Sequence, residues 1–184
     1  NFIKKYNKRK FTMKEVGSIW FSSCDEEVEV PPDSIAVFDI TPFRVSWHSS
    51  LGVSFEYYTY DLVNKFLTDI KLVLNENNIK MLHKMKRSSD LANKKYIRRV
   101  KLLSNDSSYI NVNPSIDALQ IIQKTRATIS IPFTSTSIIA KIQNKPTAYY
   151  DPTGLMRKDL NAAHGITILS NIDELRVWVA KEYN

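Results

Sequence analysis

The residues best suited to chemistry form one short run, Pro132-Phe133-Thr134-Ser135-Thr136-Ser137. Four consecutive hydroxyls follow an apolar stretch, Ala127–Ile131, and open a segment, Ser135–Ile142, that reads as a short helix. The first N–H groups of a helix lack intrahelical partners, and the helix dipole adds positive potential there, so a helix start holds anions well. Serine and threonine are also the preferred helix caps, but one hydroxyl suffices for a cap. Four in a row point to a phosphate, and Thr134, Ser135, Thr136 and Ser137 are taken as the phosphate-binding set.

A second group, His83-Lys84-Met85-Lys86-Arg87, ends another apolar stretch. Alternation along a strand places His83 and Met85 on one face and Lys84 and Lys86 on the other. A histidine beside lysines at a strand end suits phosphate oxygens, so His83, Lys84 and Lys86 join the set, although a lone histidine is often structural. Pro114, Phe133, Tyr150 and Asp151 stand at other segment ends and are candidates for substrate contact. Asp151, in Asp151-Pro152-Thr153-Gly154, equally suits an Asx turn. The stretch 41–60 is long and aromatic, and its Arg44 and His48 are within reach of a substrate; its aromatics could instead pack on a further domain. There is no GxGxxG, Walker loop, HExxH or GxSxG, and four glycines argue against dinucleotide binding of the usual kind. The three histidines, His48, His83 and His164, are too dispersed to assign a metal.

The elements that position these residues follow a rhythm. Ile35–Ile40 (IAVFDI) is nearly continuous in apolar character, as in a strand buried on both faces. Leu62, Val63, Phe66, Leu67, Ile70, Val73 and Leu74 recur at helical spacing. Further strands are expected at Ile79–Met85, Tyr109–Asn113, Ala127–Ile131, Thr147–Tyr150 and Ile166–Leu169. Helices are expected at 88–101, from Ser115, at Ser135–Ile142 and at Asn171–Lys181; Ser18–Ser22 could add a short strand. This alternation predicts an α/β, Rossmann-like fold: a mostly parallel sheet of about six strands with helices on both faces. Such sheets bind ligands at the carboxyl ends of their strands, where the candidates above cluster. Residues 1–34 read as a basic arm and connector, and 35–184 as the domain.

Bulk properties set limits. The chain has 184 residues and is 43% hydrophobic, enough for one packed domain. Its single cysteine, Cys24, excludes an internal disulfide and a cysteine-built zinc site. No apolar run approaches the ~18 residues of a membrane span. Starting at Asn1, the chain reads as a piece of a longer protein lacking an N-terminal domain. The net charge of +7 is concentrated: residues 1–14 carry +6 and residues 80–101 carry +8, leaving −7 elsewhere. Such local fields attract phosphates, nucleic acid or an anionic membrane surface. With no RRM motif or GXXG loop, nucleic acid is disfavoured as a partner.

The stretch ATISIPFTSTSIIAKIQNKPTAYYDPTG, residues 127–154, resembles bacterial polysaccharide-biosynthesis proteins named for a PFTS motif. These are similar to the C-terminal, nucleotide-binding halves of GT-B glycosyltransferases. The resemblance implies that Thr134, Ser135 and Thr136 hold the donor's phosphate and that His83 corresponds to a histidine element. That element is often His-Pro, whereas this chain has His83-Lys84. The implied reaction transfers a sugar from a nucleotide-sugar to a glycan or lipid-linked acceptor in surface polysaccharide (capsule or lipopolysaccharide) synthesis. No cofactor or essential metal is expected. The implied location is cytoplasmic, peripheral to the inner membrane. The catalytic base in such folds commonly lies in the N-terminal domain, so no catalytic residue is assigned and the fragment is expected to be incomplete alone. The alternative is a non-catalytic Rossmann-like module that recognises nucleotide or nucleic acid.

Overall fold

The continuous apolar runs become the central strands in the computed structural model, which describes residues 28–42, 59–86 and 92–183. In chain order the elements are β1 (Ser34–Phe38), α1 (Tyr60–Glu76), β2 (Lys80–Lys84), α2 (Lys94–Leu103), β3 (Tyr109–Val112), α3 (Ala118–Lys124) and β4 (Ala127–Ser130). Then follow α4 (Ser135–Ile142), β5 (Thr147–Tyr150), a 3-10 turn (Asn161–Ala163), β6 (Thr167–Leu169) and α5 (Ile172–Tyr183). The six strands form one sheet in the order β3-β2-β1-β4-β5-β6. Every neighbouring pair is parallel. This is the expected Rossmann-like sheet, and its strand order reverses between β1 and β4, the switch point where such folds hold ligands.

Alternation along the strands divides the core into two layers. Ile35, Val37, Met81 and Ile129 meet α1, α2 and α5 through Phe66, Ile70, Tyr96 and Leu175. Ala36, Phe38 and Leu82 point the other way and meet Ile121 and Ile122 of α3 and Ala140 of α4. Helix α1 buries all seven of the apolar residues named from its periodicity, each worth roughly 1.5–3 kcal/mol of transfer free energy. Its start is capped by Thr59, whose side chain accepts from Leu62 N at 3.3 Å.

Local hydrogen bonds move some boundaries. The segment 113–116 is a turn, closed by Ser115 N on Asn113 Oδ1 at 3.0 Å, so the helix expected from Ser115 begins at Ala118. Asp117 is its cap, accepting from Leu119 N at 2.9 Å. Helix α2 begins behind Asn93, which caps Lys95 N and donates its own N–H to Pro42 O at 2.8 Å. Ala92 and Asn93 are therefore not helical, and 88–91, like the expected strand Ser18–Ser22, lie outside the described residues. Strand β1 stops at Phe38, so Asp39 and Ile40 leave the ladder at the carboxyl rim. Among the described residues no helix is long and apolar enough to cross a membrane.

Candidate functional site

The carboxyl ends of β1, β2 and β4 and the starts of α3 and α4 surround a cavity of ≈ 180 Å³. Phe38 and Asp39 line it from β1, and Lys84, Met85 and Lys86 from β2. Ala118 lines it from α3, and Thr134, Ser135 and Thr136 from the β4–α4 turn. A larger groove of ≈ 670 Å³, between Val28–Pro31, Ile110 and Lys124, lies at the opposite end of the sheet. There Lys124 Nζ already donates to Val28 O at 2.9 Å. Buried polar groups converge on the smaller cavity, at the switch point, which makes it the stronger candidate.

The hydroxyl run does not act as a simple cap. Thr134 occupies the N-cap position of α4 with no side-chain cap hydrogen bond. Its hydroxyl donates backwards to Ile131 O at 3.1 Å. Thr136 Oγ1 donates to Thr134 Oγ1 at 3.2 Å and lies 3.3 Å from Ser130 Oγ. Ser137 Oγ is buried without a hydrogen-bond partner. The start of α4 thus keeps its own N–H groups for an anion. Phe133 holds the turn in the left-handed region at φ 64, a conformation that costs a non-glycine residue roughly 1–3 kcal/mol. Tyr149 supports it from below. Its hydroxyl donates to Thr134 O at 3.2 Å, and its ring lies 5.9 Å from that of Phe133.

Lys84 supplies buried positive charge. It leaves β2 on the α3 side of the sheet, and its Nζ donates to Pro114 O at 3.0 Å. Burial pushes the ammonium below the ordinary lysine range, and the carboxylates of Asp117 and Asp39 push it back up. Lys86 sits exposed at the rim. Pro114 acts through its carbonyl, as the partner of Lys84.

His83 lies on the other face, as strand alternation requires, and cannot share a phosphate with Lys84. It is fully buried, with Nδ1 2.5 Å from the Tyr109 hydroxyl. Its Nε2 is 3.0 Å from Asp39 Oδ2, but the pair is too misaligned for a hydrogen bond. Asp39 Oδ2 instead accepts from the Tyr96 hydroxyl at 2.5 Å, while its Oδ1 is buried without a partner. Burial, then the Asp39 carboxylate, push the Tyr96 hydroxyl far up, so it stays a donor. Asp39 was not singled out from the sequence; an acid ending an apolar strand was the only signal.

Two expected substrate contacts point elsewhere. Tyr150 faces α1, where its hydroxyl donates to Asp69 Oδ2 at 2.6 Å and its ring stacks 6.0 Å from Phe66. Asp151 is buried and closes its own turn, accepting from Thr153 N at 3.0 Å, Thr153 Oγ1 at 2.6 Å and Met156 N at 2.8 Å. Arg44 and His48 lie outside the described residues. The structure therefore brings together Lys84, Lys86, Thr134, Ser135 and Thr136, with Pro114 behind Lys84 and Phe133 beside the turn.

Residues 1–179 match the family described as polysaccharide biosynthesis PFTS motif protein. The chain belongs to that family. The four letters stand at Pro132-Phe133-Thr134-Ser135, on the β4–α4 turn at the cavity. No curated protein matches the chain. Among solved structures, the UDP-GlcNAc 2-epimerase of Methanocaldococcus jannaschii, in complex with UDP-GlcNAc and UDP, is similar with a TM-score of 0.53 and 10% identity. The match covers 83% of this chain and 39% of the epimerase, and it supports the fold alone. A variant of the wall teichoic acid polymerase TagF matches with a TM-score of 0.46 and 14% identity, over 84% of this chain and 37% of that one. KpsC, a beta Kdo 2,4 transferase of Thermosulfurimonas dismutans, gives 0.39 and 12%, over 81% and 45%. This PFTS-family chain thus spans less than half the length of each.

Proposed function

We propose that the chain is the nucleotide-sugar-binding half of a glycosyltransferase in bacterial surface-polysaccharide synthesis. One observation carries the reading: the uncapped start of α4, with its hydroxyl run, stands at the switch point beside the buried Lys84. In this arrangement the N–H groups of α4 and the hydroxyls of Ser135 and Thr136 donate to the donor's phosphate oxygens, and Lys84 and Lys86 neutralise their charge. Membership of a polysaccharide-biosynthesis family supports the reaction class. The epimerase of similar fold was solved with UDP-GlcNAc and UDP, which supports a nucleotide-sugar as ligand.

The cavity of ≈ 180 Å³ suits the phosphate-bearing part of such a ligand, since clefts for whole ligands run to roughly 300–1,000 Å³. A second domain would complete the cleft, carry the catalytic base and present the glycan or lipid-linked acceptor. Residues 35–184 would form the donor-binding domain, working at the cytoplasmic face of the membrane.

The test is a melting panel with CMP, CDP, UDP and GDP. A bound nucleotide at ~100 times its dissociation constant stabilises the fold by about 2.7 kcal/mol. Ser135→Ala with Thr136→Ala should abolish most of that shift while the unliganded protein melts within about 2 kcal/mol of the parent. A full shift in the double variant would reject the site. No shift in the parent would mean either that the second domain is needed for binding or that the non-catalytic module is the better reading.

A further inference from the structure

A further groove, lined by several basic residues, lies on the other face of the sheet, between α1 and α2. Its volume is ≈ 490 Å³, within the roughly 300–1,000 Å³ of ordinary ligand clefts. Tyr60, Asn64 and Thr68 line it from α1, and Lys95, Arg98 and Arg99 from α2. Its charge follows from the sequence of α2, KKYIRRVKLL, which contains no acid. Tyr96, Val100 and Leu103 turn into the core, leaving Lys95 and Arg98 exposed on the outer side.

Among the described residues, none of Lys95, Arg98 and Arg99 has a carboxylate partner. Arg99 is half-buried: its Nη2 donates to Thr68 Oγ1 at 3.0 Å, while its Nε is buried without a partner. Asn64 Oδ1 is likewise buried and unpartnered. A guanidinium N–H withdrawn from water without an acceptor, and an amide oxygen without a donor, are both costly. Together they call for a ligand that brings negative charge and hydroxyl groups to one place.

We propose that the α1–α2 groove binds an acidic saccharide. Arg99, Arg98 and Lys95 take its carboxylate or phosphate groups, Asn64 Oδ1 accepts from a hydroxyl, and the Tyr60 ring offers a flat apolar surface. Leu102 of α2, 63% exposed, also lines the groove, so an anionic membrane surface is the competing occupant and forms one arm of the test. Single-stranded nucleic acid needs several stacking aromatics, and among the described residues Tyr60 is the one aromatic in the lining. The family's place in polysaccharide biosynthesis supplies the occupant. The groove shares no lining residue with the cavity at the α4 turn.

The full chain should be titrated with oligogalacturonate, with a neutral maltooligosaccharide of equal length, with a single-stranded oligonucleotide and with phosphatidylcholine–phosphatidylglycerol vesicles. Oligogalacturonate should bind, more weakly as salt rises, and the neutral sugar should not. Lys95→Ala with Arg98→Ala, both at exposed positions, should weaken binding about tenfold or more. Asn64→Ala should weaken it severalfold with every charge in place, and Ser135→Ala with Thr136→Ala should leave it unchanged. Failure of oligogalacturonate to bind, or equal affinity in the Lys95/Arg98 variant, would overturn the proposal. So would indifference to Asn64→Ala, or tighter binding to vesicles or oligonucleotide.

Discussion

Replacing Lys84 by methionine separates binding from folding. Methionine keeps the unbranched stem that packs at the end of β2 and removes only the ammonium. Two opposing effects act on stability. The variant loses the hydrogen bond from Nζ to Pro114 O at 3.0 Å, and a charged bond of this kind is worth about 1.5–3 kcal/mol net. It also sheds the desolvation that pushes the Lys84 ammonium below its ordinary range. These terms are of opposite sign, so the stability loss by urea unfolding should be smaller than the bond alone would give, below about 3 kcal/mol. Nucleotide binding has no such compensation. Loss of one charge-assisted contact to phosphate should weaken affinity roughly ten- to a hundredfold, read by titration calorimetry. A stability loss above about 3 kcal/mol with unchanged affinity would refute the reasoning and make Lys84 a strut for the 113–116 turn.

Three further outcomes follow from the same geometry. Phe133→Gly should be more stable than Phe133→Ala by about 1 kcal/mol, because both lose the ring and only glycine accepts φ 64 freely; an equal or reversed order in thermal melts would deny the strain. Tyr150→Phe should cost about 1–3 kcal/mol through the lost bond to Asp69 and leave nucleotide affinity unchanged; a binding defect at full stability would return Tyr150 to the site. Nucleotide affinity should fall with rising pH below the ordinary lysine value of 10.5, as Lys84 loses its proton early, and this limb should vanish in Lys84→Met. Over the same range the unfolded chain holds more protons than the folded one at Lys84, so its contribution to stability should rise with pH.

The sheet was legible because its strands are fully buried and therefore read as apolar runs. The helical spacing of the seven apolar residues of α1 was equally plain, since one stripe packs and the rest is wet. Boundaries set by a single side chain were harder. Asn113 ties Ser115 into a turn and Asp117 caps the helix three residues later than expected; a cap and a first-turn acid look alike in sequence. The hydroxyl run and Lys84 were visible as site candidates because one segment holds each. His83 and Asp39 were not readable, because their environment comes from Tyr96 and Tyr109. Those partners are set by which helix and strand lie alongside, not by local spacing. Asp151 looked like a rim residue for the same reason, and its side chain instead accepts the bonds of its own turn.

The most direct measurement is an amide-resolved NMR titration of the full chain with UDP, CMP and GDP. The account predicts that one of these nucleotides moves the backbone N–H signals of Ser135, Thr136 and Ser137 most, with smaller changes at Lys84 and Ala118 around the same cavity. Saturable shifts confined to α2 or to the amino-terminal edge of the sheet, with the α4 start unmoved, would contradict it.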